Sequence, residues 1–155
     1  QGLQIEAVSG VYQTAPVPAS DQPDFTNIAV KAATELQPGQ LLDLFQHIEI
    51  GCGRKPAERW SARTLDIDLL AFGSSVLPSP SLWRQVVDDT NPAAILPEPV
   101  VPHPRLHKRA FVLVPLLDIA PNWRHPVLDQ DVEELAATEH IVGESAMVQR
   151  ISASL

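Results

Sequence analysis

The chain has 155 residues, 45% hydrophobic and 19% charged, which is room for one domain with a real core and excludes an intrinsically disordered chain. Its net charge of −8 argues against sequence-independent binding to DNA or RNA, which needs a basic footprint. The single cysteine, Cys52, excludes an internal disulfide and a cysteine-based zinc site, and no apolar run approaches the ~20 residues of a membrane-spanning helix.

Residues 2–12 alternate at Leu3, Ile5 and Ala7 and predict a strand. Residues 13–25 hold Pro16, Pro18 and Pro23 and predict a stiffened loop. Residues 27–36 predict a second strand, with Ile28, Val30 and Ala32 on one face. Two successive strands joined by a long loop imply an antiparallel pair with a functional loop. Pro38 suits the first turn of a helix, in which Leu41, Leu42, Phe45 and Ile48 follow helical spacing. Gln46 and Glu49 lie three apart on a neighbouring face, and the helix ends near Gly51 or Gly53.

Residues 54–62 form a basic loop, and 65–72 predict a strand. On that strand Leu65, Ile67, Leu69 and Ala71 share one face, and Asp66 and Asp68 share the other. Carboxylates two apart on a strand sit roughly 6.6 Å from each other and can reach one divalent cation or a close pair. Oxygen ligands suit magnesium. Just upstream, Arg54, Lys55, Arg59 and Arg63 fall within ten residues. Either feature alone is more often a solvated surface. Together, with Trp60 among the cations, they favour a site for a metal-bound polyphosphate. Seven of the eleven Lys and Arg lie in 54–63 and 105–109, so the positive charge is local although the total is negative.

Residues 74–104 contain seven prolines, a density that forbids long helices and central strands. Residues 83–87 predict one helical turn or a short strand. The rest predicts an irregular excursion over the surface. Residues 106–119 are mostly helical in pattern, with Pro115 a kink or boundary. A turn at 120–122, a short helix at 132–137 and a strand at 146–151 complete the chain.

Several strings then occur in the order found in one family: Tyr12-Gln13-Thr14-Ala15-Pro16, Asp21-Gln22-Pro23-Asp24-Phe25-Thr26-Asn27, Ile48-Glu49, Gly53-Arg54, Arg59-Trp60-Ser61-Ala62-Arg63-Thr64-Leu65-Asp66-Ile67-Asp68-Leu69-Leu70, Pro102-His103-Pro104-Arg105 and Arg109-Ala110-Phe111-Val112-Leu113. From about residue 3 to about residue 126 the chain resembles the 6-hydroxymethyl-7,8-dihydropterin pyrophosphokinases of folate synthesis. The resemblance implies an α+β, ferredoxin-like fold in one domain over 1–155, with a mostly antiparallel central sheet flanked by helices. It implies a cytoplasmic, ATP-dependent diphosphotransferase, a monomer or weak dimer, with no nucleic-acid or membrane partner. The reaction would move the terminal diphosphate of ATP to the pterin hydroxymethyl oxygen.

The resemblance also implies roles. Asp66 and Asp68 would hold two magnesium ions on the ATP phosphates, and Arg54, Arg63, His103 and Arg109 would clamp those phosphates. Gln46, Glu49 and the backbone near Leu69 would contact adenosine, and Trp60 would ride on a loop that closes over the site. Phe25 and Phe111 would wall the pterin, Asn27 would meet its edge through its amide, and backbone groups of Thr14 and Val17 would meet the rest.

Four departures stand out. The family's opening strand with a Gly-Ser-Asn motif, and the helix after it, are not in the chain, so it reads as N-terminally incomplete. Gly53-Arg54-Lys55-Pro56 stands for Gly-Arg-x-Arg, which puts a point charge where a bidentate arginine is usual. Ser61-Ala62 stands for Gly-Pro. The excursion over 74–104 is longer than usual, with Pro99-Val100 where a side chain often helps bind ATP. The alternative to an enzyme is a relative that binds pterin or nucleotide without turnover. A weaker third reading is an interaction protein that pairs strands through an exposed edge.

Overall fold

A computed structural model describes residues 2–16, 21–53, 64–89 and 98–153. In chain order its elements are β1 (Leu3–Val8), β2 (Val11–Thr14), β3 (Phe25–Asn27), β4 (Val30–Thr34), α1 (Pro38–Gly51), α2 (Pro80–Asp88), a 3-10 turn (Leu106–Lys108), α3 (Ala110–Ile119), α4 (Val132–Ala136), α5 (Glu139–Ser145) and β5 (Val148–Ser152). Helices and antiparallel strands together make an α+β protein. The elements group into two compact units, Gln1–Glu35 with Arg105–Leu155, and Leu36–Pro104.

In the first unit β1 pairs antiparallel with β4, from Leu3 opposite Thr34 to Val8 opposite Val30, with a bulge between Ile5 and Ala7. A three-stranded sheet runs β3-β2-β5, all antiparallel neighbours. The two strands expected at 2–12 and 27–36 are therefore present and antiparallel, but each is broken once. The break is at Ser9. Its N–H donates to the Ala29 carbonyl at 2.9 Å, while the Ala29 N–H turns to the Ser9 hydroxyl at 2.8 Å. A side chain has replaced one rung of the ladder, so the ribbon changes sheets there. A Cβ on Gly10 would lie 2.6 Å from Nε of Arg150, a half-exposed side chain that would have to shift to admit it.

α3 packs against strands of both sheets and against α4 and α5. Its buried residues Ala110, Val112, Leu113 and Pro115 join Val11, Tyr12, Val132, Leu135 and Ile141 in the core. Pro115 lies inside α3 and does not end it, although its ring nitrogen cannot donate to the Phe111 carbonyl. Glu139–Ser145 is a helix the sequence pattern did not announce, because only Ile141 in it is buried.

In the second unit Pro38 occupies the first turn of α1, and the Gln37 N–H donates to Oε1 of Gln40 at 2.8 Å. Gly53 follows the helix with φ 98°, a conformation glycine adopts without a Cβ penalty. The residues of α1 that are buried are Pro38, Leu41 and Glu49, while Ile48 and Ile50 are exposed. Of the expected stripe Leu41 is buried as read, while Ile48 is exposed and Glu49 takes the buried position beside it. α2 is longer than the single turn expected. Pro80 opens it, and the Ser79 hydroxyl accepts from the Leu82 N–H at 3.3 Å.

The proline-rich stretch is not wholly a surface excursion. Trp83, Val101 and Pro102 are buried, the Trp83 indole N–H donates to the Pro102 carbonyl at 2.6 Å, and Leu77 and Val101 exchange two backbone hydrogen bonds. Proline forbids long elements but not a short helix set against a two-residue bridge. The peptides before Pro78, Pro99 and Pro102 are cis.

Candidate active site

The expected strand over 65–72 carries no ladder among the described residues. Its alternation survives nonetheless: Leu65, Ile67 and Leu69 are half-buried, and Asp66 and Asp68 are exposed. Two hydrogen bonds stand in for a neighbouring strand. The Ile67 N–H donates to Oε1 of Glu49 on α1 at 2.7 Å, and the Leu70 carbonyl accepts from the His103 N–H at 2.8 Å. The second unit therefore brings together Glu49, Asp66, Asp68, Leu69 and His103, with the acid pair on the open side of a pinned ribbon. Gln46 is exposed on α1.

The donor set fits magnesium. Among the described residues no group of three or more His, Cys, Asp or Glu side chains is gathered for a metal. Asp66 and Asp68 offer exposed carboxylate oxygens, the hard donors that magnesium takes.

The first unit holds the other candidates. Phe25 opens β3 and is 50% exposed, and Phe111 in the first turn of α3 is 38% exposed. Phenyl rings held so open are available to a flat ligand. Asn27 is half-buried at the end of β3, where its amide nitrogen donates to the Thr14 hydroxyl at 3.0 Å. Tyr12↔Asn27 and Thr14↔Phe25 are partners in the β2–β3 register, so the aromatic and the amide lie on one short ladder. The Arg109 guanidinium lies over the Phe111 ring at 5.4 Å, a cation–π contact. Val17, Arg54, Trp60 and Arg63 lie outside the described residues, as do Lys55 and Arg59.

One site residue carries a role that the sequence reading missed. Glu49 stands in helical step with Leu41 and Phe45, four residues apart, which signals the buried face. The structure leaves it 3% exposed.

An exposed acid pair on a pinned ribbon defines, at the coarsest level, an α+β protein with a candidate divalent-cation site. Comparison with known proteins narrows this. The chain belongs to the 7,8-dihydro-6-hydroxymethylpterin-pyrophosphokinase (HPPK) family, whose model matches residues 1–121. It is 40% identical over 123 residues to the 2-amino-4-hydroxy-6-hydroxymethyldihydropteridine pyrophosphokinase of Pseudomonas aeruginosa, a match covering 79% of this chain and 65% of the relative. To the protein of the same name in Bacillus subtilis it is 38% identical over 117 residues, covering 76% and 60%. The Aquifex aeolicus protein of that name is 34% identical over 132 residues, covering 85% and 72%. The chain thus spans 60 to 65% of the length of the first two relatives. α4, α5 and β5 lie beyond the stretch that the family model matches.

Proposed function

We propose that the protein transfers diphosphate from ATP to 6-hydroxymethyl-7,8-dihydropterin, giving AMP and the pterin diphosphate; its relatives are named as pyrophosphokinases of that hydroxymethyldihydropteridine. The family membership carries this reading, together with an acid pair that is exposed while its apolar neighbours are held down. The pterin hydroxymethyl oxygen forms a bond to the β-phosphorus of ATP. The bond from that phosphorus to the oxygen shared with the α-phosphorus breaks, AMP leaves with the electron pair, and the hydroxyl proton passes to solvent. Magnesium, when bound, neutralises charge on the phosphate oxygens.

The chain's own residues do the rest. Asp66 and Asp68 orient the metal-bound phosphates, with Arg54, Arg63, His103 and Arg109 as clamps. Gln46, Glu49 and the Leu69 backbone take the adenosine. Phe25 and Phe111 stack on the pterin, and Asn27, Thr14 and Val17 read its edge. Trp60 would help exclude water from the bound substrates in this reading. The fold in this reading is ferredoxin-like, and the protein a cytoplasmic monomer or weak dimer without nucleic-acid or membrane partners. No helix among the described residues is long and apolar enough to cross a membrane.

The test is AMP release from ATP with the dihydropterin and magnesium. Turnover is expected, and Asp66→Ala or Asp68→Ala lowers it by at least about a hundredfold, the scale for losing a preorganised electrostatic group. Tight binding of pterin or ATP with no AMP above background would instead establish a binding module without turnover.

A further inference from the structure

We infer that Glu49 is a positioning residue for the acid pair: its buried carboxylate sets the register of the ribbon that presents Asp66 and Asp68. The inference rests on the proposed role of those aspartates and gives Glu49 a task besides the adenosine contact. Three observations carry it. Glu49 is 3% exposed, on the packed face of α1 with Pro38 and Leu41. Its Oε1 accepts the N–H of Ile67 at 2.7 Å, at the residue between the two aspartates. The ribbon at 65–72 has no strand ladder among the described residues to supply that acceptor.

The physics follows from alternation. Side chains on an extended ribbon change face at every residue, so a slip of one position would turn both aspartates inward and Ile67 outward. A ladder normally forbids that slip. Here the ribbon is held by the Glu49 bond at Ile67 and by the His103 N–H on the Leu70 carbonyl, 2.8 Å away. A carboxylate makes a shorter and stronger bond to a backbone N–H than a neutral acceptor does. α1 is the rigid member, and the bond transfers its position to the acid pair. Supporting contacts of this kind, one bond removed from a metal ligand, typically change metal affinity or activity by about 10- to 100-fold when lost.

Two measurements on the full chain test this. The first, amide hydrogen exchange at Ile67 without any ligand, does not depend on turnover. Protection is expected in the natural protein and in Glu49→Gln, which keeps an acceptor oxygen. In Glu49→Ala exchange should quicken by about tenfold or more, the scale of one lost hydrogen bond. Unchanged Ile67 exchange in a folded Glu49→Ala protein overturns the inference.

The second is Mn2+ affinity in the presence of the α,β-methylene analogue of ATP, set beside the Mg2+ dependence of AMP release. Glu49→Ala should weaken metal binding by about 10- to 100-fold and Glu49→Gln should restore most of it, whereas any rise in KM for ATP from the altered adenosine contact should appear in both variants, so that metal affinity and KM split. A raised KM for ATP in both variants, with metal affinity untouched, would assign Glu49 to the nucleotide alone. Should Glu49→Ala fail to fold, Glu49→Asp, one methylene short of Ile67, must give the same split. If the natural chain releases no AMP, Ile67 exchange and Mn2+ affinity still decide this inference separately from the proposed reaction.

Discussion

Asp118, at the end of α3, receives two donors at one oxygen: the Gly10 N–H at 2.9 Å and the Tyr12 hydroxyl at 2.8 Å. Arg150 of β5 approaches the same oxygen at 3.9 Å and lies over the Tyr12 ring at 6.0 Å. The ion pair is half in solvent and contributes little. The two hydrogen bonds matter more, because Tyr12 is buried and its hydroxyl needs an acceptor. Asp118→Ala should therefore cost about 1–3 kcal/mol in urea unfolding, the penalty of stranding a buried donor. His107 gives a test by pH. Burial first, and the Lys108 charge second, hold its pKa below the ordinary 6.5. The unfolded chain then takes up the proton first as pH falls. The His107 contribution to stability is full above about pH 6.5 and is lost as pH drops through the folded pKa. Between about pH 7 and about pH 5 the natural chain should lose more stability than His107→Gln, as read from paired urea titrations.

The elements show how local chemistry and packing divide the work. α4 has only five residues, too few to stand on propensity alone. It is held by reciprocal bonds: the Glu134 N–H donates to Asp131 at 2.8 Å, and the Asp131 N–H donates to Glu134 at 2.8 Å. Val132 and Leu135 then bury its inner face. Asp131→Ala should destabilise the protein by about 1 kcal/mol, measured by the shift in urea midpoint at constant slope. That helix is expected at 132–137, and its cap is a matter of four consecutive residues. α5 is not announced, since it has a single buried apolar anchor, and on α1 the helical step of Leu41, Phe45 and Glu49 is open to reading but a glutamate does not mark itself as buried. The ribbon at 65–72 is the clearest case. Its facing pattern was legible in the alternation of Leu65, Asp66, Ile67 and Asp68, but a strand is defined by its neighbour, and its anchors here are Glu49 and His103.

At the scale of the whole molecule the candidate residues divide between the two units. Thr14, Phe25, Asn27, Arg109 and Phe111 belong to one, and Gln46, Glu49, Asp66, Asp68, Leu69 and His103 to the other. Mutations without shared partners are close to additive. Phe25→Ala should then weaken dihydropterin binding by about tenfold, the scale of one aromatic stack, and leave ATP affinity unchanged. Asp68→Ala should do the converse. Calorimetry with each ligand alone checks both. An equal loss of both ligands in Phe25→Ala would show that the substitution acts through folding.

The sequence by itself determined the family, the places of α1, α3, α4 and β5, and the alternating exposure of the acid pair. Each of these rests on residue type and spacing along one stretch of chain. Only the tertiary structure decided that Ser9 breaks the first ribbon, that Trp83 and Val101 give the proline-rich stretch an interior, and that a buried carboxylate holds Ile67. Those contacts join residues about twenty apart, and no local pattern specifies which donor a distant acceptor will meet.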